Sequence, residues 1–457
     1  MMSLRKAANS SPSPGGECRG KGELSMRSRA GSFLSDLVIA LSLVSLALPT
    51  SLSAQLAAEP SNSAVPFKPA FDLNLPILLL NANGPLHPEL KSPATLGLFS
   101  PGEPQLAGSN SWTGGITIHG GTSVRFPKQS FSLSLAVPVK LLDLRESTHW
   151  ILNAAFIDRS LMRHKLAYDL FRSLDTPTAR RFAVASRFVE LVFNGSYHGV
   201  YLLMERIDGP LLGLRRYGTN DVNHATIYKA VNHGANFRQL GHNAYELKDP
   251  DPLVDPYWQP LDAFTAFVSG APEPQFLDPE IGIATRVDLG NAIDFHLLVL
   301  LADNLDGIDK NFIFARDAAL LDKPKPPFFF VPWDYDGTFG RNWDATKVSP
   351  TGWLSNNLFD RLMRDPAYNE RFARRWKELR NGAFSVKTVQ AMIDANVRTL
   401  GVAALRNANR WQTAAAAYPD TLTLQEDAAE MKTWIEARIR WLDSEIQRRT
   451  QSQNALR

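Results

Sequence analysis

The chain has 457 residues, of which 44% are hydrophobic and 21% charged, a composition typical of a globular protein with one large or two ordinary domains. Its 49 Lys and Arg against 46 Asp and Glu give a net charge of +3, with the basic residues scattered along the chain. This pattern excludes an extended disordered chain and provides no basic stripe of the kind that binds nucleic acid.

The first 69 residues are expected to precede the folded domain. Residues 1–25 are rich in Ser, Pro, Gly and basic residues, and we interpret them as a disordered leader or an over-extended start. Residues 26–54 begin with two arginines, continue with a short apolar stretch and end in small residues up to Ala54, a pattern typical of a signal peptide. Residues 55–69 are interpreted as a linker. The mature chain is predicted to be secreted, periplasmic or at the cell surface, without a transmembrane span, and an uncleaved N-terminal anchor is the alternative.

The next segments predict two strands joined by a glycine turn. After a buried strand in LNLPILLLNAN, the segment ITIHGGTSVRFPKQSFSLSLAV reads as a strand, a turn and an alternating strand. Gly120, Gly121 and Ser123 offer backbone N–H groups that can approach a phosphate, because glycine has no Cβ. Lys128 follows and could neutralise that phosphate. An ordinary hairpin loop is the alternative interpretation.

A helix, a hairpin and several further elements follow in chain order. Apolar residues at helical spacing predict a helix over 158–174 with Asp158 as its N-cap, and Asn194-Gly195 predicts the turn of a β-hairpin. Short strands are expected at Tyr228-Lys229 and Tyr245–Lys248. Further helices are predicted near residues 288–303, 365–381, 385–404 and 423–449.

Two acidic clusters lie 28 residues apart, one in ADNLDGIDKN and one in FFFVPWDYDG. In kinase-like enzymes an Asp accepts or orients the proton of the substrate hydroxyl, an Asn five residues later binds a metal ion, and an Asp after a strand holds Mg²⁺. Asp306 and Asn311 have that spacing. Asp334 follows an apolar run and is the first choice for the metal carboxylate, with Asp336 second. Turn or surface residues are the alternative interpretation.

Several ordered motifs together carry a resemblance to a known family. They are ITIHGGTSVRFPKQSFSLSL, DRSLMRHKLAYDLF, LVFNGSYHGVYLLMERID, LDGIDKNFIFARD, FFFVPWDYDGTFG and WIEARIRWLDSEI. The chain resembles the CotH kinase family of exported or spore-surface atypical protein kinases, although the glycine turn reads His-Gly-Gly-Thr-Ser in place of an Arg-Gly-x-Ser type. The resemblance implies an α+β, atypical protein-kinase-like two-lobed fold with a helical C-terminal region. It would cover residues 70–450, with a nucleotide-binding lobe at 70–215 and a catalytic and helical lobe at 216–450.

The resemblance also implies a function, the transfer of phosphate from ATP, assisted by Mg²⁺, to a Ser or Thr hydroxyl of a protein. A helix acid, Asp158 or Asp169, would then pair with Lys128, and Arg163 would bind a carboxylate or phosphate. The lone histidines, such as His198 and His296, are expected to be packed or at the surface. Two alternatives stay open: a non-catalytic cell-surface adhesion or structural protein on the same fold, and metal-dependent hydrolysis, for which the histidine ligands are missing.

Overall fold

The computed structural model describes residues 74–99, 111–215, 224–319, 325–411 and 422–454. The predicted leader, signal peptide and linker lie outside these ranges. Within them, no helix combines the length and the apolar character that a membrane crossing requires.

The first sheet closes into a seven-stranded barrel. Its neighbouring strands are antiparallel except at the point of closure, where Ile77–Leu80 of the first strand pair in parallel with Glu190–Phe193 of the sixth. Alternating apolar residues point inward and form a separate core that includes Leu78, Trp150 and Leu203. The strands are β1 (Ile77–Ala82), β2 (Ser92–Phe99), β3 (Ser111–His119), β4 (Ser130–Val139), β5 (Ser147–Asn153), β6 (Ser186–Phe193) and β7 (Ser196–Glu205), arranged in the order β1-β2-β3-β4-β5-β7-β6.

The second sheet has four antiparallel strands in the order β11-β10-β8-β9. They are β8 (Thr226–Ala230), β9 (Tyr245–Asp249), β10 (Phe312–Arg316) and β11 (Phe329–Pro332). The two central strands are nearly fully buried, because helices cover one face and a small apolar cluster covers the other. The acidic segment with Asp306 thus precedes β10, and the segment with Asp334 follows β11. These two strands are neighbours in the sheet.

Helices make up most of the remaining described structure. The helix α4 (Leu289–Ala302) is buried from Asn291 to its end and is mostly apolar, and Asp288 caps its N-terminus by accepting the N–H groups of Gly290 and Asn291. The helix α7 is kinked at Gly401, where φ is 46°. The helices are α1 (Arg163–Arg172), α2 (Gln259–Gly270), α3 (Glu273–Phe276), α4 (Leu289–Ala302), α5 (Asn357–Leu362), α6 (Pro366–Arg380), α7 (Val386–Trp411) and α8 (Leu424–Asn454).

The presence of both helices and strands confirms the α+β prediction. The closed barrel is a correction to it, because the expected kinase-like nucleotide lobe did not include closure of the first sheet. The helix predicted over 158–174 begins five residues later, and its N-cap position is Met162. Asp158 lies in the preceding turn, where its carboxylate accepts the N–H of Ser160 and of Arg163 and thereby holds the segment out of the helix.

Candidate functional site

A cleft of about 940 Å³ lies between one end of the barrel and the second sheet. The barrel contributes the turn after β3 and the segment after β5, and the second sheet contributes the loops that flank β10 and follow β11. Every residue that the sequence proposes for the site lines this cleft: Gly120, Gly121, Ser123, Lys128, Asp306, Asn311, Asp334 and Asp336. The fold therefore brings together segments that are up to 216 residues apart in the chain. Their roles stay predictions.

The glycine turn follows β3 and continues into a short 3-10 turn over Thr122–Arg125. Gly120 has a φ of 120°, and a Cβ at this position would lie 2.0 Å from the Ser123 Oγ, so the turn requires glycine here. Gly121 has open space around it, which leaves room for a ligand to approach its backbone. The turn thus presents main chain and the Ser123 hydroxyl to the cleft.

The two acidic segments are tied to each other by Asn304. Its side-chain oxygen accepts the N–H of Gly307 at 2.9 Å, and its amide nitrogen donates to the carbonyl of Asp334 at 3.1 Å. Asn304 follows the end of α4, where Asp303 adopts the left-handed conformation with φ 53°. A buried helix end and one side chain therefore fix the relative position of the loops that carry Asp306 and Asp334.

Asp306 lies beside two basic side chains at the surface of the cleft. Its carboxylate is 3.0 Å from the Lys310 Nζ and 3.6 Å from the His233 Nε2. About a quarter of its side chain (24%) is exposed, so a substrate hydroxyl can reach it from solvent. This position suits a group that orients or deprotonates an incoming hydroxyl.

Asn311 and Asp334 both adopt the left-handed conformation, with φ of 56° and 62°. Asn and Asp tolerate this region better than most residues, although it still carries strain, and such strain concentrates at functional sites. The N–H of Asn311 donates to the carbonyl of Ala230, and the N–H of Asp334 donates to the Tyr168 hydroxyl at 3.0 Å. Neighbouring main chain and α1 therefore hold both residues in place.

The carboxylates of Asp334 and Asp336 and the ring of His164 offer atoms that lie within 4.8 Å of one another. Burial raises the pKa of Asp336 well above its usual range, and the negative charges of Asp334 and Asp158 raise it further. A divalent cation between the two carboxylates would remove that repulsion. The carboxylates are hard oxygen donors, which fit Mg²⁺, and Asn311, which lines the same cleft, has an amide oxygen of the same kind.

His164 was not foreseen at the site, and its hydrogen bonds indicate a positioning role. The Nδ1 atom accepts the backbone N–H of Tyr335 at 2.9 Å. The Nε2 atom lies 3.3 Å from the amide nitrogen of Asn153 and 3.8 Å from the Oδ1 of Asp334. Burial lowers the pKa of His164, which favours the neutral ring. Asp334 and Asp336 supply the anionic oxygens of this group and are the first metal-binding candidates.

Lys128 lies buried behind the glycine turn, with 2% of its surface exposed. Its Nζ donates to the carbonyls of Ala154 (2.7 Å) and Val200 and to the side-chain oxygen of Asn407 (3.0 Å). The ammonium also lies 4.7 Å from the centre of the Tyr201 ring. Burial lowers its pKa well below the usual range, and among the described residues no carboxylate pairs with it.

The expectation that Asp158 or Asp169 pairs with Lys128 is wrong. Asp158 instead forms a buried ion pair with Arg163, and Asp169 pairs with Lys165 at 2.6 Å along α1. Asp169 has Lys165 four residues away on the same helix, a spacing that favours an ion pair, and Asp158 has Arg163 at the start of α1. Arg163 does bind carboxylates, as the resemblance implied, and these belong to Asp158 and Asp427 within the protein.

Sequence reasoning missed three further groups of the cleft: His164, Asn304 and Lys229. His164 stands next to Arg163 in a quoted motif, but nothing in the sequence links it to residue 334. Asn304 precedes Asp306 by two positions and was a signal that could have been used, since Asn often fixes loop backbone through its side chain. Lys229 was assigned only to a short strand.

Comparison with known proteins agrees with the motifs. The family model described as CotH kinase protein matches residues 116–442. The inner spore coat protein H of Bacillus subtilis (strain 168) is 25% identical over 291 residues, which cover 60% of this chain and 73% of that protein. The matched region contains the barrel from β3 onward, the second sheet and the helices up to most of α8. The chain therefore belongs to the CotH kinase protein family.

Proposed function

We propose that the protein is an exported atypical protein kinase that transfers the γ-phosphate of ATP to a Ser or Thr hydroxyl of a protein. The observation that carries this proposal is the meeting of the glycine turn, Asp306, Asn311 and the Asp334–Asp336 pair at one cleft. Phosphoryl transfer needs few covalent functions from a protein; it needs positioning and charge stabilisation, which this set of residues can supply. Family membership supports the same reaction class.

In the proposed reaction the acceptor hydroxyl oxygen forms a bond to the γ-phosphorus while the bond to the leaving ADP oxygen breaks. Asp306 orients the hydroxyl and takes its proton, and Lys310 keeps the carboxylate in place. Asp334 and Asp336, with Asn311, would hold Mg²⁺, which when bound neutralises charge on the phosphates. The glycine turn would cover the phosphates with main chain, because Gly120 and Gly121 leave no side chain in the way.

We also propose that the protein acts outside the cytoplasm. The signal-peptide pattern over residues 26–54 and the coat-protein name of the Bacillus subtilis relative support action outside the cytoplasm, secreted, in the periplasm or at the cell surface. The relative's name also favours one alternative, a non-catalytic structural protein of a surface layer on the same fold. Phosphate transfer separates the two functions.

The test compares phosphate transfer by the wild type with two aspartate variants. With γ-labelled ATP and Mg²⁺, Asp334→Ala should reduce labelling of protein below detection, because a metal ligand is lost. Asp344→Ala is the matched control, an exposed carboxylate on a nearby loop that does not line the cleft, and should label like the wild type. Thermal unfolding of Asp334→Ala without ligands should stay close to the wild type, since removing one of two repelling carboxylates offsets the lost contacts. Equal labelling by Asp334→Ala and wild type would reject the assignment.

A further inference from the structure

The donors of Lys128 are already used. An ammonium group has three N–H donors, and those of Lys128 are directed to Ala154, Val200 and Asn407. Phosphate contact would require at least one of these bonds to break, which would remove the Lys128 donor from a buried oxygen. Asn407 also accepts the N–H of Val200, so it ties α7 to both Lys128 and β7. These contacts describe a structural cation between barrel and helix.

Lys229 faces the same cleft with its ammonium unsatisfied. It is half-buried on β8, and among the described residues its Nζ has no hydrogen bond or ion pair. The ammonium lies 5.8 Å from the centre of the Trp333 ring. Lys248, which pairs with Glu246 on β9, repels it: after burial, this repulsion is the largest cause that lowers the pKa of Lys229. The carboxylates of Asp334 and Glu246 act in the opposite direction on its pKa, more weakly than Lys248. A half-buried ammonium without a direct hydrogen bond or ion pair, beside a second lysine, is the arrangement of an anion site.

The sheet fixes Lys229 beside both acidic segments. The residue after it, Ala230, accepts the N–H of Asn311 at 3.0 Å, and Trp333 directly precedes Asp334. In the register of the sheet, Lys229 is opposite Ile313 of β10, two residues after Asn311. An anion held by Lys229 would therefore lie at the metal-binding candidates, where the phosphates of a nucleotide must lie.

We propose that Lys229, with Lys248 beside it, is the cation that binds the phosphate groups of the nucleotide, and that Lys128 is a structural lysine. This inference rests on the proposed kinase function for the identity of the ligand. Lysine binds phosphate as a compact point charge, so the site requires its charge more than a particular geometry. The sequence-based assignment of phosphate contact to Lys128 is an alternative that the same experiment addresses.

The experiment measures binding of three probes at constant ionic strength by calorimetry: ATP with Mg²⁺, tripolyphosphate with Mg²⁺, and adenosine. Lys229→Ala should weaken ATP and tripolyphosphate by about 10- to 100-fold, the usual effect of losing a charged phosphate contact, and change adenosine by less than about twofold. Lys229→Arg should restore most of the loss because it restores the charge. Lys140→Ala, an exposed lysine that does not line the cleft, is the charge-matched control and should bind like the wild type.

The outcomes separate this inference from the kinase proposal. If the wild type binds tripolyphosphate in a Lys229-dependent way but binds no nucleotide, the anion site stands and the kinase function falls. If Lys229→Ala binds both phosphate probes like the wild type, or if the wild type binds neither, the inference is overturned. A folded Lys128→Met protein that loses tripolyphosphate binding while Lys229→Ala retains it would assign the contact to Lys128. Lys229→Ala should keep the wild-type melting temperature within a few degrees, since the change removes no hydrogen bond or ion pair among the described residues and only the 5.8 Å contact with the Trp333 ring.

Discussion

At the scale of single residues, two lysines line the same cleft, one with all its N–H donors bonded and one with none bonded to a described residue. Lys128 is enclosed by main-chain carbonyls and an amide, whereas Lys229 lies 5.8 Å from the centre of the Trp333 ring and has no hydrogen bond or ion pair among the described residues. The sequence could not distinguish them, because the environment of Lys128 depends on Asn407, which is 279 residues away in the chain. A motif identifies which residue types are present, and the long-range contacts decide what each can bind.

Replacing Lys128 by Met should destabilise the protein. Met fills a similar volume but removes the Lys128 donor from the carbonyls of Ala154 and Val200, and it leaves the oxygen of Asn407 with the N–H of Val200 as its donor. Each unsatisfied buried group costs about 1–3 kcal/mol. We expect the free energy of unfolding, measured in urea, to fall by at least about 2 kcal/mol. Lys140→Ala serves as the control and should stay within about 0.5 kcal/mol. Unchanged stability of Lys128→Met would contradict the structural role.

Replacing Asp306 by Asn should separate binding from turnover. The carboxylate lies at the cleft surface and is expected to act on the substrate hydroxyl, so ATP affinity should stay within about threefold while turnover falls by about 10²-fold or more. Affinity from calorimetry and initial rates of phosphate transfer measure the two effects. A variant that loses ATP affinity and turnover together would place Asp306 in nucleotide binding instead.

At the scale of elements, local patterns predicted most strands and helices. The Asn194-Gly195 turn joins β6 and β7, and α4 follows the predicted apolar run within one residue at each end. The predicted start of α1 was wrong. Asp158, interpreted as an N-cap, uses its carboxylate to stabilise the turn that precedes the helix, five residues before Arg163. Side chains that can cap a helix can equally stabilise a turn, and the choice depends on partners such as Arg163.

The buried histidine of α4 should make stability depend on pH. Burial lowers the pKa of His296 to about 4, and its Nε2–H donates to the carbonyl of Leu354 at 2.8 Å. Between about pH 6.5 and 4 the unfolded chain binds a proton that the folded protein does not. The free energy of unfolding is therefore highest, as far as His296 determines it, above about pH 6.5 and falls as the pH is lowered towards 4. The decrease in the free energy of unfolding that His296 causes is up to roughly 3 kcal/mol.

Comparison with His296→Gln isolates this effect. Gln keeps an N–H donor for Leu354 and does not titrate, so the difference in free energy of unfolding between pH 7 and pH 4.5 should be smaller than in the wild type. Urea unfolding of both proteins at the two pH values measures it. The absolute stability of the variant does not matter, because the packing of the ring on Phe359 is lost at every pH. Parallel pH profiles of the two proteins would contradict the prediction.

At the scale of the whole molecule, closure of the barrel and assembly of the cleft could not be predicted from the sequence. Closure depends on a parallel pairing between β1 and β6, which are more than 100 residues apart and carry no local signal for each other. The C-terminal helices then connect distant parts: Asn407 of α7 reaches the barrel, and Asp427 of α8 reaches α1. Individual acidic residues could be proposed for the site from their spacing, whereas the cavity that unites them is a product of these long-range contacts.

The ion pair between α1 and α8 should be important for stability. Asp427 is fully buried and binds Arg163 through two hydrogen bonds of 3.0 Å. Asp427→Ala leaves a buried guanidinium with less negative charge around it, which typically costs about 3–5 kcal/mol. Glu436→Ala on the same helix removes an exposed pair with Arg440 and should cost less than about 1 kcal/mol. Urea unfolding in which both variants are equally stable would disprove the importance of the buried pair.

The most direct test of the central proposal, phosphate transfer at this cleft, is to follow the γ-phosphate of ATP in the wild type. After incubation with ATP and Mg²⁺, mass spectrometry of the protein and a Ser/Thr-rich acceptor protein, with an assay of free phosphate, measures how the phosphate partitions between protein and water. The kinase proposal predicts phosphoserine or phosphothreonine in the wild type and none in Asp306→Asn or Asp334→Ala. Release of free phosphate without protein labelling would indicate hydrolysis, and no consumption of ATP at all would indicate a non-catalytic protein; either result would contradict it.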